Sequence, residues 1–262
     1  MILDEIAEKT RQRVKELKKA VPPGKMREKA EKCAKESDNT AFPFEKALKQ
    51  SDISFICEVK KASPSKGLIA PDFPYMDIAQ EYERAGAAAI SVLTEPYYFQ
   101  GKNEYLKEIS ETVNIPVLRK DFTVDEYMIY EAKVLGASAV LLICAILEPG
   151  EIKEYLGIAR SLGLSAIVEA HTAEETETAL SAGAGIIGVN NRNLKDFTVD
   201  IETSVRLRSM VPESVIYVAE SGIKTPGDIQ KLRQCKADAV LIGETFMRSG
   251  DKKKMLAELR GL

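Results

Sequence analysis

Glu58 and Lys60 stand two residues apart at the end of an apolar run. Extended backbone alternates its side chains, so this carboxylate and this ammonium share one face while Cys57 and Val59 take the other. Similar endings recur along the chain: Leu118-Arg119 runs into Lys120, Ile167-Val168 into Glu169, Gly188-Val189 into Asn190 and then Arg192, and Val218-Ala219 into Glu220. Any one of these groups alone reads as a solvated strand end or half of a salt bridge. Five strand ends that supply Lys, Glu, Asn and Arg to one rim define a cavity suited to paired acid and base steps, in which each charge offsets the burial of its neighbour.

The elements that must position these groups show in a weak internal repeat, where a helix end passes through a small-residue turn into an apolar run. It reads Ala85-Gly86-Ala87-Ala88-Ala89-Ile90, Leu135-Gly136-Ala137-Ser138-Ala139-Val140, Ala182-Gly183-Ala184-Gly185-Ile186-Ile187 and, without the glycine, Cys235-Lys236-Ala237-Asp238-Ala239-Val240. Glycine after a helix supplies a left-handed cap. Further runs at Ile53 to Val59, Ile115 to Leu118, Leu164 to Val168 and Val215 to Ala219 bring the candidate strands to eight. Polar segments with helical periodicity, such as Ile78 to Ala85 and Glu151 to Ser161, separate them. Eight βα units in 262 residues predict an α/β fold, a closed (β/α)8 TIM barrel. The alternative is an open doubly wound sheet, although no Gly-x-Gly-x-x-Gly turn follows the first strand.

The barrel is assigned to residues 51–262 as the catalytic domain, and residues 1–50 to an N-terminal helical extension packed on it. Ile2, Leu3, Ile6, Val14 and Leu17 fall largely on one helical face, and Pro22-Pro23-Gly24 breaks the helix. The stretch from Lys25 to Lys35 is charged enough to be a solvated helix face without chemistry.

A parallel barrel presents catalytic groups at the C-terminal ends of its strands and often holds phosphate on the loops after strands seven and eight. Here those loops read Glu220-Ser221-Gly222-Ile223 and Ile242-Gly243-Glu244-Thr245. Each glycine lets backbone N–H groups approach an anion, unless it is a plain turn residue. Glu244 is expected to contribute backbone alone, because its carboxylate repels phosphate, while Lys60 or Lys61 adds positive charge. The loop Lys61-Ala62-Ser63-Pro64-Ser65-Lys66-Gly67 carries hydroxyls and ammonium groups for a ligand and reads as a mobile flap. Phe122 offers a flat surface to an aromatic ligand, or else packs under a loop. His171, just beyond Glu169, offers a base, but with no serine or cysteine nucleophile near it is read as a rim residue.

Composition narrows the partners. With 37 Lys plus Arg against 40 Asp plus Glu and one His, the formal net charge of -3 predicts no bulk grip on nucleic acid or an anionic membrane. The scattered Cys33, Cys57, Cys144 and Cys235 form no close pair of the kind a zinc or redox site needs, so no metal is expected. Asp4, Glu5 and Glu8 interrupt any signal-like leader and no bilayer-length apolar run follows, which predicts a cytoplasmic protein with reduced thiols.

Six segments in order, Glu58-Val59-Lys60-Lys61-Ala62-Ser63-Pro64-Ser65, Leu118-Arg119-Lys120-Asp121-Phe122, Val168-Glu169-Ala170-His171, Gly188-Val189-Asn190-Asn191-Arg192-Asn193-Leu194, Ala219-Glu220-Ser221-Gly222-Ile223 and Leu241-Ile242-Gly243-Glu244, resemble the indole-3-glycerol phosphate synthase family of tryptophan biosynthesis. The opening Ile2-Leu3-Asp4-Glu5-Ile6 is similar to that family's N-terminal extension. The resemblance implies ring closure of 1-(2-carboxyphenylamino)-1-deoxyribulose 5-phosphate with loss of carbon dioxide and water, without a metal or organic cofactor. It implies Lys120 as the general acid, Glu169 in the later proton transfers, Glu58 as the group that orients and balances the lysines, and Lys60 near the phosphate and as a further acid. Asn190 and Arg192 would hold hydroxyl or carboxylate groups, and Glu220 the sugar portion. Ser221, Gly222, Gly243 and Glu244 would surround the phosphate, and Phe122, Leu141 and Leu194 the aromatic ring. The expected partner is a phosphorylated small molecule, and the expected state a monomer or weak homo-oligomer. Rival readings are a phosphosugar isomerase, an aldolase in which Lys120 forms a Schiff base, and a catalytically inactive phosphate-ligand binder or assembly subunit.

Overall fold

The computed structural model describes residues 2–37, 41–193 and 196–261. Three helices come first, α1 (Ile2–Ala20), α2 (Pro23–Glu36) and α3 (Pro43–Leu48). Eight strands and their helices follow: β1 (Ser54–Val59), α4 (Tyr75–Ala85), β2 (Ala89–Leu93), α5 (Asn103–Thr112), β3 (Val117–Lys120), α6 (Glu126–Val134), β4 (Ala139–Ile143) and α7 (Pro149–Ser161). The second half runs β5 (Ser165–Ala170), α8 (Ala173–Ala182), β6 (Ile186–Asn190), α9 (Glu202–Arg208), β7 (Ile216–Glu220), α10 (Pro226–Gln234), β8 (Ala239–Ile242), α11 (Glu244–Arg248) and α12 (Lys252–Arg260). Each strand pairs in parallel with its neighbours in the sequence, and β1 pairs with β8 to close the barrel. The (β/α)8 barrel expected from the repeat is therefore the fold, and the open sheet is not.

The small-residue junctions act as helix stops. Gly86, Gly136 and Gly183 have φ of +90°, +84° and +90°, and Lys236, in the copy without glycine, takes the same left-handed turn at +61°. The strand β3 begins two residues later than the apolar run suggests, because Pro116 has no N–H to give the ladder, and it extends through Lys120. That shift places Lys120 inside the strand, where its direction is set by the sheet.

Strand period sorts the core into two compartments. Outward residues such as Cys57, Val92, Val140, Val168 and Val240 pack against the helices, while Ile56, Leu118, Ile167 and Val218 point into the barrel. The N-terminal end of the barrel is sealed by α3, whose Phe44 and Leu48 are fully buried in the interior cluster. Ser54 Oγ at the foot of β1 donates to the carbonyl of Ala47 at 3.2 Å. The expectation of a helical extension did not include this plug. Of the charged stretch, α2 exposes most residues and buries Met26, Ala30 and Ala34. Among the described residues no helix is long and apolar enough to cross a membrane.

The first helix crosses to the opposite, C-terminal mouth and is tied there by charge. Arg13 Nη2 reaches both carboxylate oxygens of Asp121, each at 2.8 Å. Thr94 Oγ1 donates to the same carboxylate at 2.6 Å and the Phe122 N–H at 2.8 Å. Burial opposes ionisation of Asp121, but Arg13 and Arg119 outweigh it and hold its pKa below the ordinary value. Behind it, buried Arg119 bonds Glu131 at 2.6 Å and the Met128 carbonyl at 2.9 Å. Removing one partner of such a pair leaves an undercompensated buried charge. Arg13→Ala leaves Asp121 with Arg119 at 3.7 Å as its remaining cation. It is expected to lower the unfolding free energy by about 3 kcal/mol, read as a lower urea midpoint at unchanged slope.

Candidate active site

One level above the apolar layer, the odd strands contribute Glu58 from β1, Lys120 from β3, Glu169 from β5 and Glu220 from β7. Alternate strands of a barrel fill its interior in layers of four, and here the uppermost layer is charged. Lys120 Nζ lies 3.0 Å from Glu169 Oε2 and 2.6 Å from Glu220 Oε2. Lys60, one residue beyond β1 on the same face as Glu58, pairs with that carboxylate. Glu58, Glu169 and Glu220 are each under 5% exposed.

Room for this layer comes from the even strands. A Cβ on Gly188 of β6 would overlap Glu220 Oε1, and one on Gly243, just past β8, would overlap Glu58 Oε1 and crowd Lys60 Nζ. Gly243 thus has a second reason to be glycine besides any approach to an anion. Asn190, at the end of β6, accepts the Arg192 N–H at 3.0 Å, and its side-chain amide helps lower the pKa of the Glu169 carboxylate.

Three carboxylates face two ammonium groups, so the layer carries one negative charge in excess. Burial would strip the proton from Lys120, yet Glu169, Glu220 and Glu58 together hold its pKa above the ordinary value. The two carboxylates that share it part company. Burial pushes Glu220 up to about 7, with Lys120 opposing and Glu169 reinforcing the shift. Glu169 also suffers burial, but Lys120, His171 and the Asn190 hydrogen bond bring it below the ordinary value. Glu220 is therefore the carboxylate that takes up a proton first. Its Oε1 is buried and has no hydrogen-bond partner among the described residues.

These groups open into a cavity of about 540 Å³ lined also by Ser63, Phe122, Leu141, Arg192, Ser221, Gly222, Gly243 and Glu244. The residues singled out from the sequence thus converge on one space, except Lys61, which does not line it, and Leu194, which lies outside the described residues. On the β7 side Ser221 and Gly222 are both left-handed, at φ +66° and +81°. Asn191 Nδ2 braces the turn by donating to the Ser221 carbonyl at 3.1 Å. The Glu244 carboxylate is engaged by Arg248 at 3.1 Å and Lys66 at 3.7 Å. The loop after β1 forms a small hairpin pairing Ala62 with Leu68 and Ser63 with Gly67.

Sequence reasoning missed part of the apolar wall. Ile2, Leu3 and Ile6 of α1 line the cavity together with Phe99. The rings of Phe99 and Phe122 lie 5.9 Å apart. Phe99 is set by Glu95, a buried carboxylate that accepts the N–H groups of Tyr97, Tyr98 and Phe99 at 2.7 to 3.0 Å. A glutamate at a strand end followed by proline was the only signal for that loop. His171, expected at the rim, directly follows β5 and packs behind Glu169, with Nε2 at 3.5 Å from Glu169 Oε1 and Nδ1 at 3.1 Å from Glu175 Oε2. Among the described residues no group of three or more His, Cys, Asp or Glu is arranged to hold a metal ion.

Comparisons with known proteins point to one family. The sequence model of a family described as indole-3-glycerol phosphate synthase matches residues 3–259. An indole-3-glycerol phosphate synthase of Ruminiclostridium cellulolyticum is 58% identical over 261 residues, covering 100% of this chain and 99% of that protein. One from Endomicrobium trichonymphae is 54% identical over 265 residues, covering 99% and 100%. Among solved structures, a 3-hexulose-6-phosphate synthase superposes with a TM-score of 0.62 at 13% identity, over 80% of this chain and 99% of that one. A chain of the Pyrococcus furiosus tryptophan synthase complex gives 0.60 at 15%, over 80% and 99%. At such identities these two structures speak for the barrel alone.

Two outcomes follow from the packing and charge of the layer. Gly243→Ala is expected to cost about a hundredfold in kcat/KM, because the added methyl displaces Glu58 and Lys60 by about an ångström, while the denaturation midpoint changes far less. Glu220 binds its proton more tightly in the folded state than at its ordinary 4.5. The stability this contributes is complete below about pH 4.5 and is lost as pH rises through about 7. Glu220→Gln should therefore flatten the fall in unfolding free energy across that window relative to the parent protein, as measured by urea titrations at successive pH values.

Proposed function

Since the chain belongs to the indole-3-glycerol phosphate synthase family, and is thereby a carboxy-lyase of tryptophan biosynthesis, we propose that its charged layer closes the indole ring of 1-(2-carboxyphenylamino)-1-deoxyribulose 5-phosphate by lysine and glutamate acid–base catalysis. The observation that carries this reading is Lys120, buried yet kept protonated between Glu169 and Glu220.

Ring closure joins the aryl carbon bearing the carboxylate to the ketone carbon and builds negative charge on the ketone oxygen. An ammonium in a poorly hydrated site stabilises that charge and delivers a proton to it. Carbon dioxide then departs, and the electron pair of its bond restores the aromatic ring. Loss of water completes the indole: a hydroxyl leaves with a second proton, and a base removes one hydrogen from the neighbouring carbon. Glu169, low in pKa and 3.0 Å from Lys120, suits the base. Lys60, paired with Glu58, suits the acid that releases the hydroxyl.

The remaining groups suit the two ends of the substrate. Phe122, Leu141 and Phe99 would wrap the aromatic ring and keep water from the departing carboxylate. Arg192 and Asn190 would hold its carboxylate or hydroxyl groups, and Glu220 Oε1 would accept from the sugar. Ser221, Gly222 and Gly243 would cradle the phosphate through backbone and hydroxyl donors, with Lys60 adding charge. Glu244 would contribute backbone only, consistent with a carboxylate already engaged by Arg248 and Lys66.

The test is indole formation from the named substrate, followed by absorbance or fluorescence, in the parent protein and in Lys120→Ala. Turnover in the parent and a fall of at least about a hundredfold in the variant are expected. Near-normal turnover in Lys120→Ala would remove the lysine from its role. A borohydride-trapped lysine adduct would instead favour the Schiff-base reading.

A further inference from the structure

The reaction just proposed has a proton balance that the charged layer cannot meet from its own stock. One proton goes to the ketone oxygen, a second leaves with the hydroxyl as water, and one is returned when the base takes a hydrogen from carbon. The carboxylate departs as neutral carbon dioxide and returns none. Each turnover therefore draws one proton from solvent, into a layer whose carboxylates are buried and whose mouth a bound substrate would cover.

A second way in lies behind Glu169. Its Oε2 is occupied by Lys120, and its Oε1 faces His171 Nε2 at 3.5 Å. That nitrogen is buried and has no hydrogen-bond partner among the described residues. The other ring nitrogen meets Glu175 Oε2 at 3.1 Å, and the same carboxylate oxygen accepts the His171 backbone N–H at 2.7 Å, which holds that carboxylate beside the ring. Glu175 lies in the first turn of α8 with 24% of its side chain exposed. We infer that Glu175 and His171 form a proton relay that recharges Lys120 from solvent through Glu169, independently of the mouth of the barrel.

The charges around the ring favour this direction. His171 faces Glu169 from β5, Glu175 from α8 and, farther off, Glu220 from β7; Lys120 of β3 stands across Glu169, and Cys144 packs against Glu175. Burial disfavours the imidazolium, but the Glu175 hydrogen bond and the two other carboxylates raise its pKa above the ordinary value. While Lys120 is charged, a proton from His171 has nowhere lower in energy to go. Once Lys120 has given its proton to the ketone oxygen, its neutral amine is the strongest base in the layer. His171 then passes the Nε2 proton to Glu169 Oε1, and Glu169 releases a proton from Oε2 to the amine. The neutral ring turns over, presenting its Nδ1–H to Glu169 and its bare Nε2 to Glu175, through which it takes a proton from water. The hydrogen that Glu169 later takes from carbon crosses the layer by Lys120 and Glu58 to reload Lys60, which closes the cycle. A 3.5 Å separation is of the kind that shortens in the occupied site.

The relay rests on the proposed reaction, and one set of assays separates the two. Parent protein, His171→Gln, His171→Ala and Glu175→Gln are compared for indole formation at saturating substrate in water and in deuterium oxide. The relay predicts kcat lower by about tenfold or more in both His171 variants, KM within about twofold of the parent, and a larger solvent isotope effect on kcat. Added imidazole should restore the His171→Ala rate in proportion to its protonated fraction, and Glu175→Gln should show a smaller loss with the same isotope signature. A parent rate retained in His171→Gln overturns the relay alone. So does a loss insensitive to imidazole and deuterium, which marks a structural role. If the His171 variants fail to fold, the isotope effect in Glu175→Gln decides between the same two outcomes. No product from the parent protein overturns the reaction and the relay with it.

Discussion

Everything at the mouth of this barrel answers to one requirement: an ammonium group under a protein surface must be held by carboxylates close enough to replace water. Lys120 meets it with two, Glu169 and Glu220, at 3.0 and 2.6 Å. In an interior of low dielectric such contacts are strong, and stranding any member is costly. The partners come from β5 and β7, the alternate strands whose pleat points into the barrel at that height. The strand order of the closed barrel is what brings together residues 49 and 100 positions distant from Lys120. The glycines at 188 and 243 then follow, since carboxylates in an odd-strand layer need empty space on the even strands beside them.

The layer is also deliberately unbalanced. Two ammonium groups against three carboxylates leave one carboxyl whose proton affinity lies near neutrality, and burial selects Glu220 for it. Perturbed groups of this kind gather where proton transfer is the work to be done. A fully neutralised layer would be more stable and less able to move protons. Close apolar packing lies at the opposite end, where Phe44 and Leu48 seal the barrel beneath an apolar layer of Ile56, Leu118, Ile167 and Val218. Charge at one end and close apolar packing at the other divide function from stability along a single axis.

Much of this was legible in the sequence because strand period and strand ends are local properties. The eight runs and the polar residues that stop them place Glu58, Lys120, Glu169 and Glu220 on one rim before any distance is known. What could not be read was contact between segments far apart in the chain. Nothing in Ile2, Leu3 and Ile6 says that their apolar face meets the mouth and not the barrel's side. Phe44 and Leu48 belong to a short segment with too few residues to show a period, so the plug went unforeseen. His171 was discounted as a nucleophile's partner, which is sound as far as it goes. Its place behind Glu169 depends on α8 beginning at Ala173, which brings Glu175 back onto the ring.

Arg119 and Lys120 at the end of β3, with Asp121 just past it, show how the extension and the chemistry are joined. Lys120 points inward, so Arg119 and Asp121 point outward by the same pleat. Arg119 is locked to Glu131, Thr94 and Asn103, and Asp121 to Thr94 and the guanidinium of Arg13. A side chain can be held to a fraction of an ångström only if the backbone beneath it is fixed, and this outward network fixes it from both sides. The first helix is therefore more than a cover. Through Arg13 it grips the residue next to Lys120, and through Ile2, Leu3 and Ile6 it supplies apolar wall to the same cavity. A barrel without α1 would keep its strands and its four charged side chains, but would lose both the wall and one of the clamps that sets the direction of the lysine between them.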